Sequence, residues 1–485
     1  MSGQHSLKHK TVKGTAWSAI DNVANHGVTF IVGLVLARLL SPDEYGLIGL
    51  ITIFISLFNV FVDSGLNSAL IRKSDANDDD YNTMFIFNMV VSILLYGVLW
   101  IGAPAISNFF ERGELTALTR AVGVVLIINA TALVQTTILT KEIDFKKQTK
   151  ISFIASVASG IIGICLALDG LGVWSLVGQQ ISRGILRSAF LWIWSKWRPA
   201  IRFSVTSFNY MWGFGWKMLC SSLLDTAWKE VYQVVIGKFY QPAALGQYTR
   251  AQSFSMIFSS NLTGIVQRVS YPVLSSIQND RERLKEAYRR VIKTTMLITF
   301  VCMLGLAAIA KSMVVVLIGE QWLSCVVMLQ IVCFNMMLYP LHAINLNMLK
   351  VQGRSDLFLK LEIIKKIIAV GPIICGIFWS IYAMLLGSVL TGFVAYYLNA
   401  YYSGPFLKYG VMCQVKDLLP SFGVALAMAI PVFAISFLPI APYVLLPLQI
   451  CVGALLVIAI CEFSKLNEYI ELKGFVNSAL GKIKH

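Results

Sequence analysis

The sequence predicts an all-α polytopic membrane protein with about fourteen transmembrane helices: two parallel-related six-helix lobes plus a C-terminal helix pair. Three observations predict it. Of 485 residues 57% are hydrophobic and only 13% charged, with a mean hydropathy of +0.70, which sets the chain apart from soluble domains. Apolar runs long enough to cross a bilayer core, about 20 helical residues, recur along the chain. The basic residues gather in alternate connections, as they do in multi-pass proteins.

Taken in order, helices are predicted at 17–40, 45–71, 81–103, 115–140, 151–169, 171–195, 212–238, 245–277, 288–318, 323–349, 358–379, 381–403, 418–438 and 443–462. The tight turn Ser41-Pro42-Asp43-Glu44-Tyr45-Gly46 joins the first two. The Arg72–Asp80 loop is hydrophilic and reads as mobile, and Asp169-Gly-Leu-Gly172 joins the fifth and sixth helices. Ser195–Trp212 carries Lys196, Arg198, Arg202 and several aromatics, an amphipathic composition suited to the inner leaflet. Arg281–Lys293 reads as a helix running into the ninth span, with charges placed to hold anionic headgroups at ~1 kcal/mol each. The last two helices lack intramembrane charge and read as a lipid-facing addition. Residues 463–485 form a polar tail suited to a surface helix.

An even number of spans puts both termini on one side. Most of the 40 Lys and Arg fall in connections on that side, whereas the opposite side has only Arg112, Lys238 and Lys311. The positive-inside rule therefore places both termini in the cytoplasm. Lys8, Lys10 and Lys13 precede a span interrupted by polar residues, with no small-residue cleavage site, so the first helix is expected to be retained. The net charge of +15 is a topology signal, and nucleic acid is not an expected partner. The nine cysteines form no CxxC and sit in apolar runs. They read as small buried hydrophobes, with no disulfide framework, metal site or cofactor.

Arg38-Leu-Leu-Ser-Pro42-Asp-Glu-Tyr-Gly46 and Lys238-Phe-Tyr-Gln-Pro242-Ala-Ala-Leu-Gly246 are matching segments six helices apart, and Trp17 stands in the same relation to Trp216. Six is even, so the copies share an orientation, as in a parallel repeat about the membrane normal. The expected domains are 1–205 (helices one to six), 206–408 (helices seven to twelve) and 409–485 (the last pair and the tail).

Several spans carry polar groups that lipid cannot hydrate. Asn59, Asp63 and Asn67 fall on one helical face, and Asp21 with Asn25 on another. Basic span residues are Arg38, Arg120, Arg183, Arg187, Lys217, Lys229, Arg250 and Arg268; acidic ones are Asp21, Asp63, Asp225 and Glu230. Left in lipid, these charges would cost ~30 kcal/mol at ~2.5–3.5 kcal/mol each, more than a fold can absorb. Arg38, Arg120, Arg250 and Lys217 lie near the surfaces, where snorkelling suffices. Arg183 and Arg187 share a face at i, i+4, Lys229 is close to mid-membrane and Arg268 sits in the inner half of its helix. These four are the cavity candidates for an anionic substrate, since guanidinium matches phosphate oxygens bidentately. Asp225 and Lys229 are also i, i+4 partners, which leaves mutual neutralisation open. The four carboxylates are candidates for ion coupling. Asn59, Asn67, Asn129, Gln135, Tyr210, Trp228, Asn335, Tyr339, His342 and Asn345 are candidate sugar contacts.

The segments Gly14-Thr-Ala-Trp17-Ser-Ala-Ile20, Leu36-Ala-Arg38-Leu-Leu-Ser-Pro42-Asp-Glu-Tyr-Gly46, Phe61-Val-Asp63-Ser-Gly65-Leu66 and Ala69-Leu-Ile-Arg72, with Ile318-Gly319-Glu320-Gln321-Trp322, resemble the bacterial polysaccharide exporters. These are lipid-linked oligosaccharide flippases of the multidrug/oligosaccharidyl-lipid/polysaccharide exporter superfamily, and the likeness is to the colanic-acid type. The resemblance implies two six-helix lobes facing a cavity, and a polyprenyl-diphosphate-linked oligosaccharide moved across the inner membrane by alternating access. It also implies surface polysaccharide biosynthesis as the setting, with membrane lipids, a polysaccharide polymerase and chain-length machinery as candidate partners. No P-loop, HExxH or Gly-x-Ser-x-Gly elbow is present, and the external loops are short, so an enzyme is not expected. The rivals are a cation-coupled drug or organic-cation antiporter of the same superfamily, a lipid II flippase, a membrane glycosyltransferase or polymerase, and an assembly subunit.

Overall fold

A computed structural model describes residues 27–73 and 75–474, and among them regular structure is helical throughout. The helices are α1 Gly27–Leu39, α2 Pro42–Asp63, α3 Leu66–Arg72, α4 Asp78–Phe110, α5 Leu115–Lys141, α6 Phe145–Leu168, α7 Val173–Trp194, α8 Val205–Phe239 and α9 Pro242–Ser276. There follow α10 Arg281–Leu317, α11 Leu323–Met336, α12 Tyr339–Val351, α13 Ser355–Ile368, α14 Val370–Phe378, α15 Ile381–Ser403, α16 Val411–Ile435 and α17 Pro442–Ser464. A last helix, α18, covers 467–474. Each expected span is helical over its described residues, but three are broken: 45–71 at Ser64–Gly65, 323–349 at Met337–Leu338 and 358–379 at Ala369. Nine helical segments among the described residues are long and apolar enough to cross a membrane. The segments α7, α8 and α9 fall outside that set, and they carry the cavity candidates Arg183, Arg187, Lys229 and Arg268.

The chain forms two compact units divided after Gly246. In the first, α4 packs on α5, α6 on α7, and α2 against α5, α7 and α8. A capping box opens α2: Ser41 accepts from the Glu44 amide, and the Glu44 carboxylate accepts from the Ser41 amide at 2.6 Å, with Pro42 in the first turn. A second box, Asn77 with Asp80, opens α4. Asp80 has no exposed side-chain surface and also takes both hydrogen bonds of Lys73 at 2.8 and 2.9 Å. The loop read as mobile is therefore tied at both ends. Asp80→Ala is expected to cost ~1–3 kcal/mol by stranding Lys73 and removing the cap, and a thermal melt of the purified protein checks it.

The connection before α8 is likewise pinned rather than loose. The Ala200 amide donates to Asn82 and the Ser204 amide to Thr83, while Trp197 packs edge-on against Tyr81 and Phe85. Ile201, Phe203 and Val205 remain exposed, as an interfacial segment requires.

In the second unit α10 packs along α16 and α17. It is one 37-residue helix that includes Arg281–Lys293, as the sequence suggests. Three of its basic charges are paired within the protein. Arg289 forms a bidentate pair with Asp417 at 2.5 Å, Arg290 meets Glu471 at 2.6 Å, and Lys293 meets Glu468. Beneath them Asn345 Oδ1 accepts from Tyr288, from Ser403 at 2.9 Å and from Gln414 at 3.0 Å, all four residues being fully buried. Tyr409, between α15 and α16, donates to Asp417 at 2.8 Å. Burial first, and that carboxylate second, push its phenol well above the usual range. Polar contacts thus fasten the start of α16 and the α18 tail to α10, while α16 and α17 keep large apolar side chains such as Ile430, Val444 and Leu455 exposed. All nine cysteines are free thiols: Cys325, Cys333 and Cys461 are buried, but Cys165, Cys220, Cys413 and Cys451 lie on exposed helix surface.

Candidate functional site

The polar face of α2 runs along α8, and four contacts fix the register. Gly237 lies against Leu50, Glu230 hydrogen-bonds Ser56, Leu219 and Ser222 share a cavity with Asp63, and Gly215 meets Gly65. The helices are therefore antiparallel, and the α8 residues from Ser222 to Glu230 flank the stretch Asp63 to Ser56. The cavity of ≈300 Å³ is lined by Asn59, Val60, Asp63, Gly65, Leu219 and Ser222. One carboxylate oxygen of Asp63 is buried there and without a hydrogen-bond partner among the described residues.

The stripe Asn59–Asp63–Asn67 is divided, because the helix breaks after Asp63. Ser64 and Gly65 both adopt the left-handed conformation, with φ of 52° and 65°. A side chain at Gly65 would meet the Gly215 carbonyl oxygen at 2.3 Å, so only glycine serves. On either side of the break the amides turn to α5: Asn129 donates to Asn59 at 3.1 Å, and Thr137 donates to Asn67 at 2.6 Å. Asp63 is left for α8.

Along α8, Asp225 and Lys229 are exposed, while Glu230 is half-buried and accepts from Gln233 at 2.6 Å as well as from Ser56. On α7, Arg183 and Arg187 are both exposed. Ile185 between them is 50% exposed and, at about 100° per residue, points to nearly the opposite side. Gly184 and Ser188 face α5, against Ile128 and Thr131, and Gln179 faces α6 at Gly163. The arginines thus lie between the α5- and α6-facing positions, on the side of α7 opposite the apolar surface marked by Ile185. Asp21 lies outside the described residues, as does Trp17; Arg268 falls within α9, with its side chain outside the described ones.

Among the surface candidates, Arg120 and Lys217 lie against neighbouring tryptophans, whereas the Arg250 Nε is buried. Arg120 donates to the Trp100 carbonyl and lies 4.8 Å over its ring, and Lys217 lies 6.0 Å over the Trp216 ring. Among the sugar-contact candidates, Tyr210 and Tyr339 are exposed, Asn335 takes part in a hydrogen bond with Ser388, and His342 pairs with Asn399 at 3.2 Å. Gln135 and Asn345 are fully buried, so both serve the interior. Lys365 and Lys366 fall within the helix expected at 358–379 but are absent from the basic span residues named above. Both are helical in α13, and Lys365 pairs with Glu362 at 2.5 Å, an i, i+3 spacing visible in the sequence.

A multi-pass helical protein with two compact units, and with Arg183, Arg187 and Lys229 on helices outside its most apolar set, belongs to the class of membrane transporters. Residues 35–327 match the family described as polysaccharide biosynthesis protein, and the chain belongs to that family. It is 25% identical over 356 residues to the teichuronic acid biosynthesis protein TuaB of Bacillus subtilis, covering 73% of each chain. It is 22% identical over 373 residues to the lipopolysaccharide biosynthesis protein WzxC of Escherichia coli, covering 76% of each. Among solved structures it is similar in fold to the lipid II flippase MurJ in an inward closed conformation, with a TM-score of 0.76 and 15% identity over 93% of this chain and 99% of that one. The resemblance read from the segments at 14–72 and 318–322 agrees with this family.

Proposed function

We propose that the chain is a flippase of the inner membrane, with both termini cytoplasmic. It would carry a polyprenyl-diphosphate-linked oligosaccharide from the cytoplasmic to the periplasmic leaflet for surface polysaccharide assembly. The observation that carries this reading is the placement of Arg183 and Arg187. They are two guanidinium groups one turn apart, on the α7 face turned away from Ile185, in a family of polysaccharide biosynthesis proteins. Such a pair suits a diphosphate, because each planar fork can engage two oxygens and the low dielectric strengthens every contact. Lys229, beside the α2–α8 seam, would extend the positive surface.

The partnerless carboxylate oxygen of Asp63 marks the group most suited to bind a coupling cation or proton, with Asp225 and Glu230 further along α8. Transport would proceed by alternating access, with the polyprenyl tail remaining in the bilayer. An antiporter for organic cations is disfavoured because basic span residues outnumber acidic ones. Catalysis is disfavoured because the family relatives and the fold neighbour are named for biosynthesis, transport or flipping, and no catalytic motif occurs.

Deletion of the gene in its host tests the reading. Lipid-linked repeat units should accumulate in the inner leaflet, surface polysaccharide should be lost and drug tolerance should stay unchanged. Normal polysaccharide with raised drug sensitivity would favour the antiporter, and repeats reaching the outer leaflet unpolymerised would favour an enzyme. Asp63→Asn should cut transport at least about tenfold if the carboxylate couples an ion, a loss of ~1.4 kcal/mol, while leaving the protein folded.

A further inference from the structure

On the side opposite the termini, the connections between spans carry only Arg112, Lys238 and Lys311 as basic residues. Arg112 and Lys238 line one cavity of ≈460 Å³, where the end of α4 meets the end of α8. Translocated connections disfavour lysine and arginine, so two of them brought together from distant turns call for a cause.

Lys238 has a structural one. Its ammonium donates to the Phe109 carbonyl at 2.6 Å and to the Glu111 carboxylate at 3.0 Å, which ties α8 to α4. Arg112 differs. Its amide donates to the Ser107 carbonyl at 3.0 Å, and its carbonyl accepts from the Ser107 hydroxyl at 2.6 Å. Glu111, just before it, holds a left-handed φ of 57°, so the chain turns sharply and sets Arg112 on the cavity wall. The backbone is thus fixed while the side chain is exposed. The nearby acids are placed elsewhere: Glu111 pairs with Lys238, and Glu114 lines a separate cavity with Trp174.

The rest of the cavity suits an anion. Helix α9 begins at its edge with Pro242, and its first turn has no acid to offset the positive end of the dipole. Phe109 and Phe239 are exposed there and Tyr240 lines the wall, the composition of a membrane–water interface. The volume falls within the ~300–1,000 Å³ of small-ligand sites.

We propose that this cavity binds the phosphate of a lipid headgroup at the outer leaflet. The Arg112 fork engages two phosphate oxygens, and Lys238 adds charge behind it. The site is separate from Arg183 and Arg187 on α7. Two sources present this chemistry, a resident phospholipid and the isoprenoid diphosphate of the proposed cargo. Its side of the membrane rests on the flippase reading above, whereas binding is measured without transport.

Amide exchange of the purified full-length chain, read by mass spectrometry, reports binding locally. Farnesyl diphosphate, phosphatidylglycerol and farnesol are titrated separately in detergent. A phosphate-bearing lipid should slow exchange in peptides covering 107–116 and 236–246, and farnesol should not. Slowing by farnesyl diphosphate alone assigns the site to isoprenoid diphosphate; slowing by phosphatidylglycerol as well assigns it to phospholipids at large. Arg112→Gln, which changes an exposed side chain, should weaken the apparent Kd about 10- to 100-fold. The slowing should persist in the Arg183→Gln/Arg187→Gln chain. No slowing with either lipid, an unchanged Kd in Arg112→Gln, or slowing that vanishes with the α7 arginines would overturn the site and leave the flippase reading standing. A chain that binds here but never flips its lipid would count against that reading alone.

Discussion

Arg183→Gln combined with Arg187→Gln is expected to abolish export from a chain that still folds and reaches the membrane. Both side chains are exposed on α7, so their loss opens no cavity. If each guanidinium contributes a charge-assisted contact of ~1.5–3 kcal/mol to the diphosphate, losing both weakens binding by about 10²- to 10⁴-fold. Lysine at both positions keeps the charge but not the fork, so it should restore only part of the activity. Initial flipping rates, normalised to membrane-inserted protein, measure the effect. A wild-type rate in the double glutamine variant would remove α7 from the substrate path.

The second large effect concerns stability. Asn345→Ala removes the acceptor shared by Tyr288, Ser403 and Gln414, and leaves three fully buried polar groups to find new partners. At ~1–3 kcal/mol for each of the three stranded groups, the expected loss is about 3–9 kcal/mol, a fall in Tm of roughly 10 °C or more. The same network ties α10 and α12 to α15 and α16, so α16 should loosen together with the rest of its unit. A fluorescence melt of the purified protein checks this, with the half-exposed Asn335→Ala as a comparison expected to shift little. Equal melting of the two variants would show that the buried amide contributes nothing special.

The helices were legible because lipid imposes long apolar runs, and the charges on α7 and α8 were legible because they interrupt those runs. Arg183 and Arg187 needed only the i, i+4 rule to be placed on one face. The break after Asp63 was not legible: Ser64-Gly65 lies inside the single span expected at 45–71, and the close approach that requires glycine there comes from Gly215, far away in sequence. The pairing of Arg289 with Asp417, or of Arg290 with Glu471, was hidden for the same reason. A local reading sees a basic stretch and assigns it to headgroups, because the carboxylates that neutralise it belong to helices more than a hundred residues later. The repeat around Pro42 and Pro242 was visible in sequence, but the close approach of Gly46 to Pro242 was not, since periodicity relates segments without saying that they meet.

The central claim is that this chain moves a polyprenyl-diphosphate-linked oligosaccharide between leaflets, and purified protein in proteoliposomes tests it most directly. The substrate carries a fluorescent sugar that an impermeant quencher destroys from outside. With the native chain, fluorescence protected in the inner leaflet should become accessible to the quencher, and the Arg183→Gln/Arg187→Gln protein should behave like empty liposomes. Protection that persists equally with native protein, double variant and no protein, under every imposed ion gradient, would contradict the account.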